Sequence, residues 1–267
     1  LLGNFSFAII LLLGSGIYFS FRLGFMQVTH FKKGVKVMTE KRTVETGISP
    51  LAAFLLSSAM RVGPGNIIGV TGAIAVGGPG AIFWMWMAAF FGMATKYAEG
   101  LLAVKYREVD SKGEIAGGPM FYIKNGMGPK FKWLGSLFAI FGILVAYFGI
   151  GTFAQVNSIV DITKMTIGLD PMWTALILTI LVAAITLGGL QSIASAAAKI
   201  VPAMAVIYFI STIGVLVYFA DKVPAAIQTI VYSAFSGSAA AGGFLGATVM
   251  LAMRNGIARG VFSNESG

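Results

Sequence analysis

The sequence predicts an all-α, polytopic membrane protein with about seven transmembrane helices. Hydrophobic residues make up 57% of its 267 residues and charged residues only 11%, whereas a soluble domain carries roughly 25% charged residues. Apolar runs of about 20 residues, the length needed to cross a bilayer, recur along the chain. No separate soluble domain is visible, so we expect residues 1–267 to form a single membrane domain.

Seven apolar segments, separated by charged loops or by loops rich in glycine and proline, define the predicted spans. In chain order they cover residues 3–21, 50–76, 80–104, 133–157, 172–190, 200–220 and 238–259. Partly apolar stretches between the spans predict short amphipathic helices on the membrane surface. These stretches cover residues 27–38, 118–127 and 224–235.

The distribution of basic residues predicts how the spans are oriented. Most lysines and arginines lie in the loops after the first and third spans, while the opposite side has only Lys164 and Lys222, offset by aspartates. Positively charged loops stay in the cytoplasm, so we expect a multi-pass protein of the cell membrane with its amino-terminal end outside. The net charge of +9 therefore indicates orientation in a lipid bilayer, and no nucleic-acid partner is expected.

The second span contains a glycine-rich interruption near its middle, where Gly63, Gly65 and Gly69 surround Pro64 and Asn66. Proline and glycine interrupt helices, and in hydrocarbon each freed backbone group needs another partner. A bound solute or ion can supply that partner, as in the binding sites of transporters. The alternative is a proline kink that neighbouring helices or water satisfy.

The interruption predicts where a substrate and a cation would bind. A substrate carboxylate would meet backbone amides in residues 63–67, at the positive end of the following half-helix. Gly63 and Asn66 are the candidate sodium ligands, and a second glycine-rich interruption at residues 242–248 suggests two pseudo-symmetric halves. The candidate substrate-binding residues are Gly63, Gly65, Asn66, Ile67, Thr71, Thr152, Gln155, Gly243, Phe244, Gly246 and Thr248.

Other polar residues inside the spans are candidates for gating or packing. Arg61 lies near mid-membrane, and a gating or structural role is favoured over direct contact with a carboxylate. Lys96 and Glu99 are three residues apart, so they can form an ion pair at the cytoplasmic end of their span. Thr152 and Gln155 belong to a polar stripe that either joins helices or lines a pocket.

The residue content argues against several classes of protein. The chain has no cysteine and a single histidine, which excludes a cysteine nucleophile and argues against a membrane-embedded enzyme. We expect no cofactor apart from a coupling ion. A channel or uniporter for a small solute remains the main alternative to a coupled transporter, because it can also use broken helices. A purely structural subunit would not explain two interrupted spans.

Ordered strings spread over the whole chain are more specific than any single glycine motif. They cover residues 11–17, 22–25, 65–70, 77–86, 92–99, 117–120 and the closing Arg-Gly-x-Phe-Ser-Asn-Glu-x-Gly pattern of residues 259–267. Together these strings resemble the alanine/glycine:cation symporter family of the amino-acid/polyamine/organocation superfamily.

The resemblance implies a leucine-transporter-type fold, built from two inverted repeats of five helices. Residues 1–24 would form an extra amino-terminal helix, residues 50–220 the first repeat, and residues 238–267 the start of the second. The complete protein would continue beyond Gly267, where further sodium ligands are expected. It would act as a monomer and take up alanine or glycine together with sodium, or alternatively with a proton, by alternating access.

Overall fold

The computed structural model describes residues 7–39, 49–59, 63–109, 113, 115–148, 150–236 and 249–264. These residues are almost entirely helical, as the predicted all-α class requires. The helices in the first half of the chain are α1 (Phe7–Arg22), α2 (Met26–Thr29), α3 (Phe31–Thr39), α4 (Pro50–Ala59), α5 (Pro64–Gly77), α6 (Gly80–Lys105) and α7 (Pro119–Gly126). Those in the second half are α8 (Lys132–Phe148), α9 (Ile150–Ile167), α10 (Pro171–Thr186), α11 (Gly189–Tyr218), α12 (Val223–Phe235) and α13 (Val249–Asn264). A short antiparallel hairpin joins β1 (Glu108–Val109) to β2 (Ile115–Ala116), and a 3-10 turn at Pro129–Phe131 precedes α8.

Two described helical stretches, Pro129–Phe148 and Gln191–Tyr218, are long and apolar enough to cross a bilayer. Both are almost entirely exposed, as expected for helices that face lipid. Shorter apolar helices occur at Ile10–Arg22, Gly65–Gly77, Pro171–Thr186 and Val223–Phe235. The structure is thus consistent with a helical membrane protein, while the number of seven spans stays a prediction.

The predicted span at 133–157 has other boundaries in the structure. Helix α8 covers Lys132–Phe148, and α9 covers Ile150–Ile167. Helical structure therefore continues past the predicted end at residue 157. The apolar run in the sequence locates this segment and underestimates how far the helix extends.

The predicted span at 200–220 begins too late. The structure starts α11 at Gly189 and continues it through Pro202. Proline removes one backbone donor from a helix, but helices in membranes tolerate it where neighbouring groups supply partners. The apolar run in the sequence therefore locates this helix and underestimates its length.

The helix α6 is the centre of the described structure. It packs most extensively against α13, and α1 and α12 also pack along it. Its buried residues are mostly small, including Ala81, Ala88 and Ala94, so neighbouring backbones can come close. Such close packing drives helix association in lipid. Lipid tails are as apolar as the helix side chains, so the hydrophobic effect does not favour association there.

The helices on either side of the predicted interruption have different neighbours. The preceding helix α4 packs mainly against α11, whereas α5 packs against α6, α9 and α13. The chain therefore passes from one group of helices to another between Ala59 and Pro64. This change of neighbours places the start of α5 beside α9, where the candidate site lies.

Candidate functional site at the start of α5

The helix α5 begins with a backbone that exposes its first donor. Gly63 is extended, with φ −145° and ψ 161°, and Pro64 occupies the first turn. Proline suits this position because it lacks an N–H group that would have no partner inside the helix. The first backbone donor of α5 is therefore the N–H of Gly65. As the sequence predicts, the second predicted span is interrupted and is not one continuous helix.

The side chain of Gln155 reaches into this helix start from α9. Its Oε1 accepts a hydrogen bond from the Gly65 N–H at 2.9 Å, although the two residues are 90 positions apart. Its Nε2 lies 3.4 Å from Asn66 Oδ1 and donates to it. One side-chain amide therefore joins the backbone and a side chain of the first turn of α5.

The two glycines of the break make this approach possible. A Cβ atom added at Gly63 would lie 2.7 Å from Gln155 Oε1, and one added at Gly65 would lie 2.9 Å from Gln155 Cδ. Any side chain at either position would therefore move the Gln155 amide. Since that amide is the end of a flexible side chain, such a substitution would disturb the contact more than the fold.

The electrostatics of the site come from the backbone. Among the described residues, Gln155 bonds the helix start through neutral amide groups alone. The amino-terminal end of a helix carries a partial positive charge and favours an anion. The Gly65 N–H can therefore bind a neutral amide, as it does here, or a carboxylate in its place.

Oxygen atoms that suit a small hard cation are also present. Gly63 O accepts the Asn66 N–H at 3.0 Å and the Ile67 N–H at 3.4 Å, and Asn66 Oδ1 accepts from Gln155. Carbonyl oxygens have two lone pairs each, so such an oxygen can accept more than one partner. Within the described ranges, no group of three or more His, Asp or Glu residues could hold a metal ion.

The structure brings four of the predicted site residues together: Gly63, Gly65, Asn66 and Gln155. It does not bring Thr71 to them, because Thr71 is exposed and its hydroxyl donates to Ile68 O of its own helix at 3.0 Å. Ile67 is also exposed. Predicted residues that lie outside the described residues, wholly or in their side chains, are Arg61, Thr152, Gly243, Phe244, Gly246 and Thr248.

Ser158, one turn after Gln155 in the same polar stripe of α9, is 2% exposed. Sequence reasoning missed one buried hydroxyl group, that of Thr174 on α10, which packs against α9 and is 4% exposed. The Thr174 Oγ1 has no hydrogen-bond partner within the part of the chain that the structure describes. The polar stripe containing Gln155 signalled Ser158, but nothing in the sequence distinguishes Thr174 from exposed threonines.

The predicted pair on α6 is present. Lys96 Nζ lies 2.8 Å from Glu99 Oε2, and the side chains are 39% and 31% exposed. Burial raises the pKa of Tyr122 on the neighbouring α7, and the Glu99 carboxylate raises it further. The pair therefore sits where α7 meets α6, and a gating role for it stays a prediction.

The hairpin after α6 is fastened to α7 by an exposed cluster. Lys124 Nζ lies 2.9 Å from Glu108 Oε1, and Asn125 Nδ2 donates to the same oxygen at 2.9 Å and to Tyr106 O at 3.2 Å. The hydrogen bonds from Lys124 and Asn125 lower the pKa of Glu108. These contacts hold the polypeptide that connects α6 to α8.

The comparison with known families assigns the chain to one of them. The model of the sodium:alanine symporter family matches residues 2–267. The chain belongs to this family. A helix start whose first backbone donor bonds a side chain of another helix is thus found here in a family of symporters.

Individual relatives support the assignment over nearly the full chain. The chain is 49% identical to an uncharacterized transporter of Haemophilus influenzae, covering 97% of the chain and 57% of the relative. It is 46% identical to the sodium/alanine symporter AgcS of Methanococcus maripaludis, and the match covers 98% of the chain and 58% of that relative. It is 40% identical to the probable sodium/glutamine symporter GlnT of Bacillus subtilis, and the match covers 97% of the chain and 53% of that relative. The chain thus spans about half the length of the curated relatives it matches.

Proposed function

We propose that the intact protein carrying this chain is a secondary active transporter that couples the uptake of a small amino acid to a cation. The observation that carries the proposal is the Gly65 N–H at the start of α5, which faces a polar partner from another helix across a glycine-lined contact. The family of the chain supplies the reaction type, and alanine is the substrate named for the family. Glycine fits the same chemistry.

The site would bind the substrate by exchanging one partner of the helix start. The substrate carboxylate takes the Gly65 N–H, where the helix dipole favours negative charge, and Gln155 Oε1 is released. The released oxygen and Asn66 Oδ1 are then both acceptors that suit the substrate ammonium group. Alternating access would close this contact on one side of the membrane and open it on the other.

Sodium is the proposed coupling ion. It prefers oxygen ligands, and backbone carbonyl and amide oxygens are the groups that the break supplies. The family name and the name of AgcS both specify sodium. A relative of Bacillus subtilis is named a putative sodium/proton-dependent carrier, so the proton remains the competing ion to be tested.

The same proposal includes a leucine-transporter-type fold. The interrupted α4–α5 unit would head the first repeat, and α13 would belong to the second. Family membership favours such a carrier over the channel or uniporter that a broken helix alone also allows. A carrier exchanges substrate across the membrane and saturates, whereas a channel does neither.

Transport by the intact protein in liposomes tests the proposal. We expect labelled alanine to accumulate under an inward sodium gradient and not without it. Asn66→Ala should reduce the uptake roughly tenfold, since it removes one side-chain partner worth about 1–1.5 kcal/mol. The matched control is Asn157→Ala on α9, because Asn157 is exposed and bonds Asp161 of its own helix at 3.0 Å.

Two results would contradict the proposal. Uptake that does not depend on any cation gradient would exclude symport, and equal losses in the two asparagine variants would exclude the helix start as the site. Counterflow of labelled alanine into liposomes loaded with unlabelled alanine separates a carrier from a channel. Competition by glycine and by glutamine then measures how large a side chain the site accepts.

A further inference from the structure

A cleft of about 320 Å³ lies between α7 and α8, away from the start of α5. Phe121 and Lys124 of α7 line one wall, and Lys132 and Ser136 of α8 line the other. The two backbones meet at Gly135, where an added Cβ would lie 2.8 Å from Met120 O. The cleft is therefore a built feature of the packed pair of helices.

The cleft carries positive charge. Lys124 is bound to Glu108 at 2.9 Å, but Lys132 forms no ion pair with any residue that the structure describes. Lys130 lies two residues before it, in the turn that leads into α8. The hydroxyl of exposed Ser136 donates to Lys132 O only at 3.4 Å, so it is available to a stronger acceptor. An anion that enters the cleft therefore meets a hydroxyl donor and an ammonium group that no described carboxylate neutralises.

The position of the cleft along α8 matches the depth of lipid headgroups. The apolar stretch Pro129–Phe148 is long enough to cross the bilayer, and Lys132 and Trp133 stand near its beginning. Trp133 is 63% exposed, as expected for tryptophan at the membrane interface. Beyond the cleft, Ile140 and Ile143 are exposed, and their positions four and seven residues after Ser136 place them on the same face of α8. A headgroup in the cleft would thus continue into an apolar surface that suits acyl chains.

We propose that this cleft binds the phosphate headgroup of an anionic phospholipid of the cytoplasmic leaflet, with the acyl chains along α8. Basic pockets beside membrane helices on the cytoplasmic side recognise such headgroups. The proposal depends on the predicted orientation of the chain, in which the loop containing α7 faces the cytoplasm. It does not depend on the transported substrate.

Native mass spectrometry of the intact protein in detergent tests the proposal. Phosphatidylglycerol should bind as a discrete adduct, and phosphatidylcholine of the same acyl chains should bind at least tenfold more weakly. The double variant Lys124→Gln, Lys132→Gln should lower the affinity for phosphatidylglycerol roughly tenfold, because each basic residue near a headgroup contributes about 1 kcal/mol and Lys124 is already shared with Glu108. The control Lys33→Gln, Lys36→Gln on α3 makes the same change in net charge and should leave the affinity within about twofold.

A second variant tests the shape of the cleft without changing its charge. Ser136→Leu fills the space between the helices and should also weaken the binding of phosphatidylglycerol, even if the lysine variant does not fold. Soluble glycerol 3-phosphate should not compete, since it has no acyl chains to lie on α8. The proposal is overturned if both lysine pairs lower the affinity equally, if Ser136→Leu leaves it unchanged, or if glycerol 3-phosphate competes as well as the lipid.

Discussion

Two of the places where glycines allow close approach, the start of α5 and the contact between α6 and α13, differ in the group that approaches. At the start of α5, Gly63 and Gly65 face the flexible side-chain amide of Gln155. Between α6 and α13, Gly256 faces the backbone of Ala81 and the Cβ of Trp84, and a Cβ added at Gly260 would lie 2.9 Å from Ala88 Cβ. The first contact is polar and adjustable, and the second is apolar and rigid.

Because of this difference, we expect substitutions at the start of α5 to affect function and substitutions in the α6–α13 contact to affect stability. A side chain can rotate away from a new Cβ atom, so a substitution at the start of α5 changes hydrogen bonds while the helices keep their positions. A backbone cannot move without moving its helix, so a substitution in the α6–α13 contact forces the helices apart. Membrane helices that lack a hydrophobic drive to associate depend on such tight packing.

The largest effect is therefore expected for Gly256→Ala. The added Cβ would clash with Ala81 O and lie 2.7 Å from Trp84 Cβ. Overpacking of this kind costs about 1–3 kcal/mol, and we expect the upper part of that range because backbone atoms are involved. The measurement is the Tm of the intact protein in detergent.

Gly142→Ala on α8 is the matched control, because an added Cβ there meets nothing within 4 Å. Its Tm should stay equal or rise slightly, since alanine favours a helix over glycine by about 1 kcal/mol. If both alanine variants had the same Tm, the α6–α13 contact would not be the rigid packing described here.

An intermediate effect, on transport and not on Tm, is expected at the start of α5. Gly65→Ala should displace the Gln155 amide, so that its oxygen no longer accepts the substrate ammonium group, and should lower alanine uptake roughly tenfold, the loss of about one hydrogen bond. Gln155→Ala should lower it to a similar extent, because it removes the same oxygen. In the double variant the second change should add little, because both changes remove one interaction with the substrate.

The double-mutant cycle can contradict this prediction. Losses that multiply in the double variant would mean that Gly65→Ala does not act through Gln155, although the two residues share a 2.9 Å hydrogen bond. If Gly65→Ala lowered the Tm as much as Gly256→Ala, the start of α5 and the α6–α13 contact would not differ in rigidity.

The smallest effect is expected in the exposed cluster around Glu108. Its pKa is lowered in the folded protein, so the stabilisation is fully present above the ordinary carboxyl pKa and is lost as the pH falls through the lowered pKa. Because the group is exposed, Glu108→Gln should change the unfolding free energy at pH 7 only slightly.

Hydrogen exchange of residues 106–126 measures this local contact. After correction for intrinsic rates, protection should fall in the parent protein as the pH drops from neutral through the lowered pKa of Glu108. It should be low and independent of pH in Glu108→Gln. The same pH dependence in both proteins would assign the change to another group.

The sequence predicted the features that depend on local composition. The interruption at Gly63 follows from glycine and proline inside an apolar run, and the helical class follows from hydropathy. The helix ends were less accessible, since α9 reaches Ile167 and α11 starts at Gly189 without any strong stop or start residue at the predicted boundaries.

Contacts between distant segments were not predictable from one sequence. The polar stripe on α9 identified Gln155 but left open whether it joins helices or lines a pocket, and its partner Gly65 lies 90 residues away. For the same reason nothing indicated that Gln27 on α2 would bond Ser20 Oγ at 2.7 Å and Phe90 O at 3.3 Å. The roles of Arg61 and of residues 243–248 stay predictions.

The packing of α13 on α6 has a consequence for biosynthesis. The two partners are far apart in the chain, since α6 ends at Lys105 and α13 begins at Val249. At about 5–20 residues per second, translation places α6 in the bilayer on the order of ten seconds before its partner emerges. During that interval the alanine-lined surface of α6 is in contact with lipid or with an assembly factor. A substitution of Gly256 would therefore impair the late packing of α13 and leave the earlier insertion of α6 unchanged.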